Sequence, residues 1–331
     1  MEFLTEIGLL MAQMLAVLIT VGILVAGFLI IRARSTQEDH LQIKDLNQKF
    51  QHMGLVLKSA IMPGKKFKQE LKRYKETEKS RAKSGGDKPR VFVLQFDGDI
   101  RATAVASLRE EISAILQVAN DQDEVVVVLE SGGGIVHGYG LAASQLQRVR
   151  DHGIKLTVIV DKVAASGGYM MACVADNILA APFAIIGSIG VIGQLPNFHR
   201  FLKNRDIDFE QITAGEYKRS LTIFGENTDK DRERFREELE ETHQLFKTFV
   251  REHRPQVDID KIATGEHWYA SQALELKLVD VIKTSDDYLA EATAQADVYQ
   301  VTYQRKKPVL EKLFGSTVSR LTTWYSSLRD Y

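Results

Sequence analysis

The sequence predicts an α/β layered domain with a largely parallel core sheet, and three observations support that class. Short apolar runs alternate with amphipathic stretches of helical length. One run, Val125–Leu129, is apolar at every position, as expected of a strand whose two faces are both covered. The 331 residues are 44% hydrophobic and 26% charged, which is the composition of a globular chain and excludes disorder throughout.

The predicted elements of the main domain begin at Arg90. The run Ile178–Ile192 is apolar, but proline and glycine interrupt it and it is too short to cross a membrane, so buried strands with tight turns are favoured. Strands are predicted at Val91–Phe96, Val125–Leu129, Leu156–Val160 and Phe209–Thr213, and helices at Thr103–Val118, Tyr139–Arg150, Gly168–Asp176 and Asp229–Arg254.

The segment Ile7–Ile31 contains no charged residue. As a helix it would extend for roughly 37 Å, enough to cross the ~30 Å hydrocarbon core of a bilayer. A cleaved signal peptide would have a basic start and a shorter apolar run, and this segment has neither feature. We therefore expect one uncleaved N-terminal transmembrane helix. Arg32 and Arg34 follow it, so the positive-inside rule favours a cytoplasmic main domain.

The segment that follows is strongly basic, with 16 Lys and Arg against 7 Asp and Glu between Arg32 and Arg90. Its lysine run, Lys65–Lys68, could contact nucleic acid, anionic lipid headgroups or solvent, and a membrane tether favours the last two. We expect four parts: an anchor at 1–32, a basic helical stalk at 33–89, the main domain at 90–300 and a tail at 301–331. Within the stalk, the sequence predicts weakly amphipathic pieces around Leu41–Leu57 and Phe67–Arg81 and a flexible joint at Ser84–Asp87. The tail contains an amphipathic segment, Leu310–Leu328, which could lie on a membrane, on another subunit or on its own domain.

The first candidate for chemistry is Ser166, which lies between a predicted strand and a predicted helix in an Ala-Ala-Ser-Gly-Gly-Tyr stretch. Backbone N–H groups at a helix N-terminus can stabilise an oxyanion beside such a serine. Serine is also a favoured helix N-cap, which is the structural alternative. The stretch is not a strict Gly-X-Ser-X-Gly elbow.

The second candidate is the glycine loop Ser131–Gly134, directly after the Val125–Leu129 strand. Three glycines allow unusual backbone angles and a close approach to a ligand. No Gly-Lys-Ser/Thr follows, so a phosphate-binding P-loop is excluded. An oxyanion N–H or pairing with an extended peptide fits better, at the edge of the sheet where α/β folds bind ligands.

A nucleophilic serine needs a base, and the residues leave two choices open. His137 follows the glycine loop, and Asp161 and Asp176 flank Ser166, so a Ser-His-Asp triad is conceivable. Lys218 is the other choice, although a lysine acts as a base only where burial lowers its pKa toward neutrality. The single cysteine, Cys173, excludes an intrachain disulfide and a cysteine-cluster zinc site, and we expect it to face the core.

Six stretches carry a family likeness and occur in this order along the chain: Leu129–Gly134, Val136–Ser144, Asp161–Asp176, Gly187–Val191, Gly215–Lys218 and Gly265–Tyr269. Together they resemble the signal peptide peptidase A family of membrane-anchored bacterial serine proteases, and the likeness covers nearly the whole chain. The resemblance implies a Clp protease/crotonase-like fold of repeated β-β-α units, which an N-terminal transmembrane helix and a charged helical stalk would precede.

The resemblance implies a Ser-Lys dyad, with Ser166 as the nucleophile and Lys218 as the general base. Ser188 matches a family serine that hydrogen-bonds the lysine, and the N–H groups of Gly134 and Gly167 match the oxyanion hole. Gly132 departs from the family pattern, which has proline there, so the loop is expected to be less restricted before substrate binds.

The resemblance further implies polypeptide substrates of apolar, signal-peptide-like or misfolded character, a lipid bilayer and a homo-oligomer as partners, and no nucleic acid, cofactor or metal. It places the peptidase domain on the periplasmic side of the inner membrane, in conflict with Arg32 and Arg34. Two other functions stay open from the residues. One is a non-catalytic membrane-tethered scaffold, and the other is an acyl-CoA enzyme of the same fold class with Glu130 as its acid.

Overall fold

The computed structural model describes residues 11, 13–22, 24, 25, 27, 40–83, 88–215, 218 and 220–305. The chain divides into two compact units, residues 1–42 with 303–331 and residues 43–302. Described residues between 11 and 27 are helical, and most of their apolar side chains are exposed.

No helix among the described residues is both long and apolar enough to cross a membrane, so the helix expected at Ile7–Ile31 is not shown. Many positions of that segment lie outside the described residues, as do Arg32 and Arg34, the joint Ser84–Asp87 and the tail Leu310–Leu328.

The elements alternate between strands and helices along the main domain. The strands are β1 (His40–Asp45), β2 (Arg90–Gly98), β3 (Glu124–Ser131), β4 (Lys155–Val160), β5 (Val163–Ala165), β6 (Asn177–Ala180), β7 (Ile185–Gly187), β8 (His267–Tyr269), β9 (Val281–Ile282) and β10 (Asp297–Gln304). The helices are α1 (Leu46–Ile61), α2 (Gly64–Lys83), α3 (Val105–Ile115), α4 (Val136–Asp151), α5 (Gly167–Ala172), α6 (His199–Lys203), α7 (Asp229–His253), α8 (Ile259–Ile262), α9 (Ala270–Glu275) and α10 (Ser285–Gln295).

The sheet is largely parallel, with the strand order β1-β10-β2-β3-β4-β6-β9. A short branch leaves it, in which β5 pairs with β3 and β7, and β8 pairs antiparallel with β7. In this branch Ser131 is opposite Ala164, and Ala165 is opposite Gly187. Because parallel strands share one carboxyl edge, the loops after β3, β5 and β7 emerge side by side, and the candidate site lies there.

Both faces of the sheet are covered, as the uniformly apolar strand predicts. Val125, Val127 and Leu129 of β3 belong to the larger core cluster, which includes side chains of α3, α4 and α5. Val126 belongs to a second cluster, against which Tyr288 of α10 packs. The α/β class predicted from the sequence is therefore confirmed.

One buried side chain fastens α1 to the last strand. Asn47 donates two hydrogen bonds of 2.9 Å to the carbonyls of Thr293 and Ala296, and its Oδ1 accepts one of 2.8 Å from Val298 N–H. The side-chain amide of Asn47 therefore has hydrogen-bond partners for both its N–H groups and its oxygen. It links α1 specifically to a strand residue 251 positions later in the sequence.

Two predictions in the second half of the domain have opposite outcomes. Ile178–Ile192 contains β6 and β7 with tight turns, so the prediction of buried strands is confirmed. The strand predicted at Phe209–Thr213 is wrong, because these residues form no strand and all are exposed. Alternating apolar residues indicate a strand only where a neighbour offers a ladder, and no described strand pairs with this segment.

Candidate active site

Ser166 lies at the turn from β5 into α5 in a strained conformation, with φ 53° and ψ −118°. Non-glycine residues rarely adopt positive φ, and such strain persists only where the surrounding structure holds it. Here the Ser166 N–H donates to Gly187 O at 2.8 Å. Ser166 occupies the N-cap position of α5, as the structural alternative predicts, but its side chain makes no capping hydrogen bond, and the half-buried hydroxyl is left for other chemistry.

The glycine loop lies against this serine. Gly133 has φ +87°, and a Cβ built on it would be 2.7 Å from both Gly167 N and Ser166 Cβ. A Cβ on Gly134 would be 2.1 Å from Ile100 O. Glycine is therefore required at both positions by close backbone approach, at Gly133 also by the dihedral. At Gly132 a Cβ would meet nothing within 4 Å, so that position tolerates a side chain.

A buried chain of hydrogen bonds holds the loop. Gly133 N–H donates to Ser131 Oγ at 3.1 Å, and Ser131 Oγ lies 2.5 Å from Tyr139 Oη. Tyr139 Oη in turn donates to Asp99 O at 2.8 Å, so the serine hydroxyl is the donor between the two side chains. Burial raises the pKa of Tyr139, which keeps the phenol protonated at neutral pH.

The Tyr139 ring also supports the other half of the site, since a Cβ on Gly167 would lie 2.4 Å from its Cγ. One side chain thus contacts both the glycine loop and the start of the nucleophile helix. A further hydrogen bond, from Ile135 N–H to Ile100 O at 2.8 Å, closes the far end of the loop. These contacts restrict the loop where the sequence alone, with Gly132 in place of proline, predicts freedom.

Sequence reasoning missed Ser131 and Tyr139 as supports of the loop. A signal was present: a tyrosine in the first turn of a helix, eight residues after a serine that ends a strand. A buried phenol needs a hydrogen-bond partner, and the partner was the neighbouring loop.

The backbone N–H groups at the start of α5 point to electrophilic assistance. The first helical hydrogen bond of this turn is Met170 N–H to Ser166 O at 2.9 Å, so the N–H of Gly167 precedes the helical ladder. Gly167 is buried, and its backbone N would lie 2.7 Å from a Cβ built on Gly133. An oxyanion formed beside Ser166 would therefore lie between this N–H and the loop.

Ser188 reaches the same edge of the sheet as Ser166. Each follows a member of the register pair Ala165–Gly187, and Ser188 also has positive φ, at 52°. Its N–H donates to Glu266 O at 2.7 Å, and its Oγ makes a long contact of 3.4 Å with Gly265 O. The Ser188 hydroxyl therefore makes only a weak hydrogen bond in this position.

Among its described residues, the structure shows no polar contact between the Lys218 side chain and Ser166 or Ser188. It lies in the irregular segment between α6 and α7, and its N–H donates to Gly215 O at 3.2 Å. The side chain is exposed. No hydrogen bond between described residues joins its amine to Ser166 or Ser188. Three of its neighbours, at 216, 217 and 219, lie outside the described residues.

The carboxylates of the conceivable triad are engaged elsewhere. Asp161 accepts hydrogen bonds from the backbone and hydroxyl of Ser285 at the start of α10. Asp176 accepts from Arg150 Nε at 2.9 Å and from a strand N–H at 2.8 Å. His137 is exposed in the first turn of α4. The geometry therefore gives the triad no orienting carboxylate.

The remaining candidates are also accounted for. Cys173 is fully buried, burial raises the pKa of its thiol, and its Sγ donates to Met170 O at 3.3 Å. It therefore has no nucleophilic role, as its expected core position predicts. Glu130 forms a surface ion pair with Lys162 at 2.9 Å. Within the described ranges, no three His, Cys, Asp or Glu side chains are grouped as metal ligands would be.

Comparison with known proteins covers almost the whole chain. Residues 148–299 match the model of peptidase family S49, and residues 2–146 match that family's N-terminal model. A "Probable protease SohB" of Haemophilus influenzae is 49% identical over 95% of this chain and 92% of its own length. One of Buchnera aphidicola from Acyrthosiphon pisum is 57% identical over 71% of this chain and 70% of its own length.

Among solved structures, a serine-to-alanine mutant of a "1510-N membrane-bound stomatin-specific protease" aligns with 62% of this chain and 85% of its own. The identity is 16% and the TM-score 0.42.

Proposed function

The chain belongs to peptidase family S49 and is a protease related to signal peptide peptidase A, and we propose that it cleaves peptide bonds with Ser166 as nucleophile and Lys218 as general base. One observation carries the proposal: a strained, half-buried serine at a helix N-terminus, with a glycine loop packed against it. The same arrangement favours the Clp/crotonase-like version of the α/β fold implied by the resemblance.

The reaction divides into two steps. The neutral Lys218 amine takes the Ser166 proton as Oγ attacks the peptide carbonyl, and the Gly134 and Gly167 N–H groups hold the oxyanion. The lysine ammonium then protonates the leaving amine, which leaves an acyl-enzyme on Ser166. Water, deprotonated by the same amine, releases the acid product and restores the serine.

The proposal requires the Lys218 amine within hydrogen-bond distance of Ser166 Oγ, with Ser188 Oγ orienting it. Catalytic hydrogen bonds are often formed only in the substrate complex, so an exposed Lys218 is compatible with this role. The amine could come from the same chain or from a second copy, because we also propose a homo-oligomer. Exposed apolar side chains in the segment that carries Lys218, with Ile212 94% exposed, support such an assembly.

The substrates we propose are apolar, signal-peptide-like or misfolded polypeptides, bound as an extended strand along the glycine loop. Ile100, Ile135 and Val136 are exposed apolar side chains beside that loop. We further propose an N-terminal membrane span with the peptidase domain on the periplasmic side. An impermeant thiol reagent tests the side, because an added stalk cysteine should label in intact spheroplasts, whereas labelling only after lysis contradicts it.

The deciding experiment is turnover of apolar peptides by the detergent-solubilised chain. Ser166→Ala and Lys218→Ala should each lose at least about 10³-fold in kcat, and Ser188→Ala less. His137→Ala is the matched control and should keep the parent rate. A fluorophosphonate probe should label the parent but not Ser166→Ala. Unchanged turnover by Lys218→Ala with loss in His137→Ala would show that the base is the histidine.

A further inference from the structure

Helix α1 carries an apolar face that nothing described covers. Met53, Val56, Leu57 and Ile61 are 54–77% exposed, and their spacing places them on one side of the helix. We call these four residues the apolar stripe. Large side chains are seldom exposed together in a continuous row without a binding role, so the stripe indicates a contact surface.

The stripe does not arise from a loosely attached helix. At its N-terminal end Leu46 and Asn47 are buried, and the Asn47 amide bonds fasten α1 to the domain. Near its C-terminal end Lys58 Nζ lies 2.7 Å from Glu70 of α2. The helix is thus held in place with its stripe open to the surroundings.

Three lysines follow the stripe in sequence, in the helix that begins after the turn at Met62 and Pro63. Lys65, Lys66 and Lys68 are exposed in the first turns of α2, and no described carboxylate forms an ion pair with any of them. That turn contains no acidic residue. Positive charges at a helix N-terminus oppose the helix dipole, so an anionic partner would relieve a repulsion that no ion pair among the described residues offsets.

We propose that the apolar stripe and these three lysines bind the surface of an anionic lipid bilayer, with α1 lying in the interface. Shallow burial of an apolar helical face next to lysines is how interfacial helices bind such membranes. The inference depends on neither the peptidase chemistry nor a span at Ile7–Ile31.

Two other occupants fit the charges less well. A second copy meeting this surface about a two-fold axis would bring the same lysines toward one another. The amphipathic tail Leu310–Leu328 carries Lys312 and Arg320 and follows three basic residues, so it would add positive charge to positive charge.

The test uses the full chain, labelled at Leu57→Cys with an environment-sensitive fluorophore. Cys173 is 0% exposed and should not label. The labelled chain is reconstituted in vesicles of phosphatidylcholine alone or with phosphatidylglycerol. Nitroxide lipids should quench the Leu57 label only when phosphatidylglycerol is present. The matched control is Ser59→Cys, turned about 200° around the helix, which should stay in water.

Changing all three lysines to glutamine keeps helix propensity and should lower the docking equilibrium about 100-fold. Equal quenching in neutral vesicles, unaffected by the glutamines, would overturn the proposal. So would a Leu57 label that is already buried in detergent and becomes exposed on dilution, which indicates a second copy. Exposure of that label only after truncation behind Arg305 would identify the tail as the occupant instead.

Discussion

Replacing Tyr139 with phenylalanine removes one buried hydroxyl and keeps the ring that supports the start of α5. In the parent, Oη lies 2.5 Å from Ser131 Oγ and 2.8 Å from Asp99 O. The variant leaves the Ser131 hydroxyl without its acceptor, whereas Asp99 O keeps the hydrogen bond of 2.9 Å from Ala102 N–H. An unsatisfied buried polar group costs about 1–3 kcal/mol, so the free energy of unfolding should fall by about 1–3 kcal/mol.

Tyr139→Phe should also lower kcat, because it removes a support of the glycine loop. Without the phenol, Ser131 Oγ can turn away from Gly133 N–H, and the glycine loop loses its fixed position beside Ser166. Outright removal of an oxyanion donor costs roughly 10²–10³-fold in kcat. A donor displaced rather than removed should cost about 10-fold or more, with KM changed by less than about 3-fold, since binding of the ground state depends less on this geometry.

Tyr169→Phe is the matched control. Tyr169 is equally buried and lies in α5, but its hydroxyl donates to Leu278 O at 3.1 Å, away from the glycine loop. It should lose about 1–2 kcal/mol of stability with kcat within about 3-fold of the parent. Urea unfolding and peptide turnover measure both quantities. Equal losses of kcat in the two variants, or an unchanged kcat in Tyr139→Phe, would refute a positioning role for Tyr139.

Three further predictions follow from single contacts. Gly133→Ala should abolish turnover, because its Cβ would meet the nucleophile helix at 2.7 Å, while Gly132→Ala, with open space, should keep at least about half the parent rate. Glu130→Gln should leave turnover unchanged, since the carboxylate is paired on the surface; a loss would support an acid role. Asp123→Asn should destabilise the fold by about 2 kcal/mol at pH 7, because it weakens hydrogen bonds from Arg90. Burial alone would raise the pKa of Asp123, but those bonds and backbone donors lower it, so its stabilisation is present at neutral pH and should be lost below about pH 4; a parent with the same stability at pH 3 and pH 7 contradicts this.

The sequence predicts elements well where local pattern and tertiary need agree. Val125–Leu129 is apolar throughout, and it forms a strand covered on both faces. Asp229–Arg254 has a helical apolar period and a capping box at Thr228 and Asp231, and it forms α7. Prediction fails at Phe209–Thr213, where alternation had no neighbouring strand to pair with.

The site shows the same division. A glycine run after one strand and a serine after another indicate loops that meet, because parallel strands share an edge, and the structure brings Ser166, Gly167 and Gly133 together. The role of Tyr139 depends on its phenol meeting a serine hydroxyl eight residues away and a backbone carbonyl forty residues away, which periodicity does not encode. The role of Lys218 remains a prediction, since its family position is recognisable in sequence while no described contact joins it to the serine.

The link between Asn47 and β10 has a consequence for biogenesis. The strand that pairs with the β2 edge is β10, made about 200 residues after it. At roughly 5–20 residues per second, a ribosome leaves that edge open for some 10–40 s. During this interval the Asn47 side chain of α1 also has no hydrogen-bond partners, because Thr293, Ala296 and Val298 are not yet synthesised. A nascent or truncated chain therefore presents an unpaired strand edge that chaperones or other proteases can recognise, and completion of the last strand is the event that removes it.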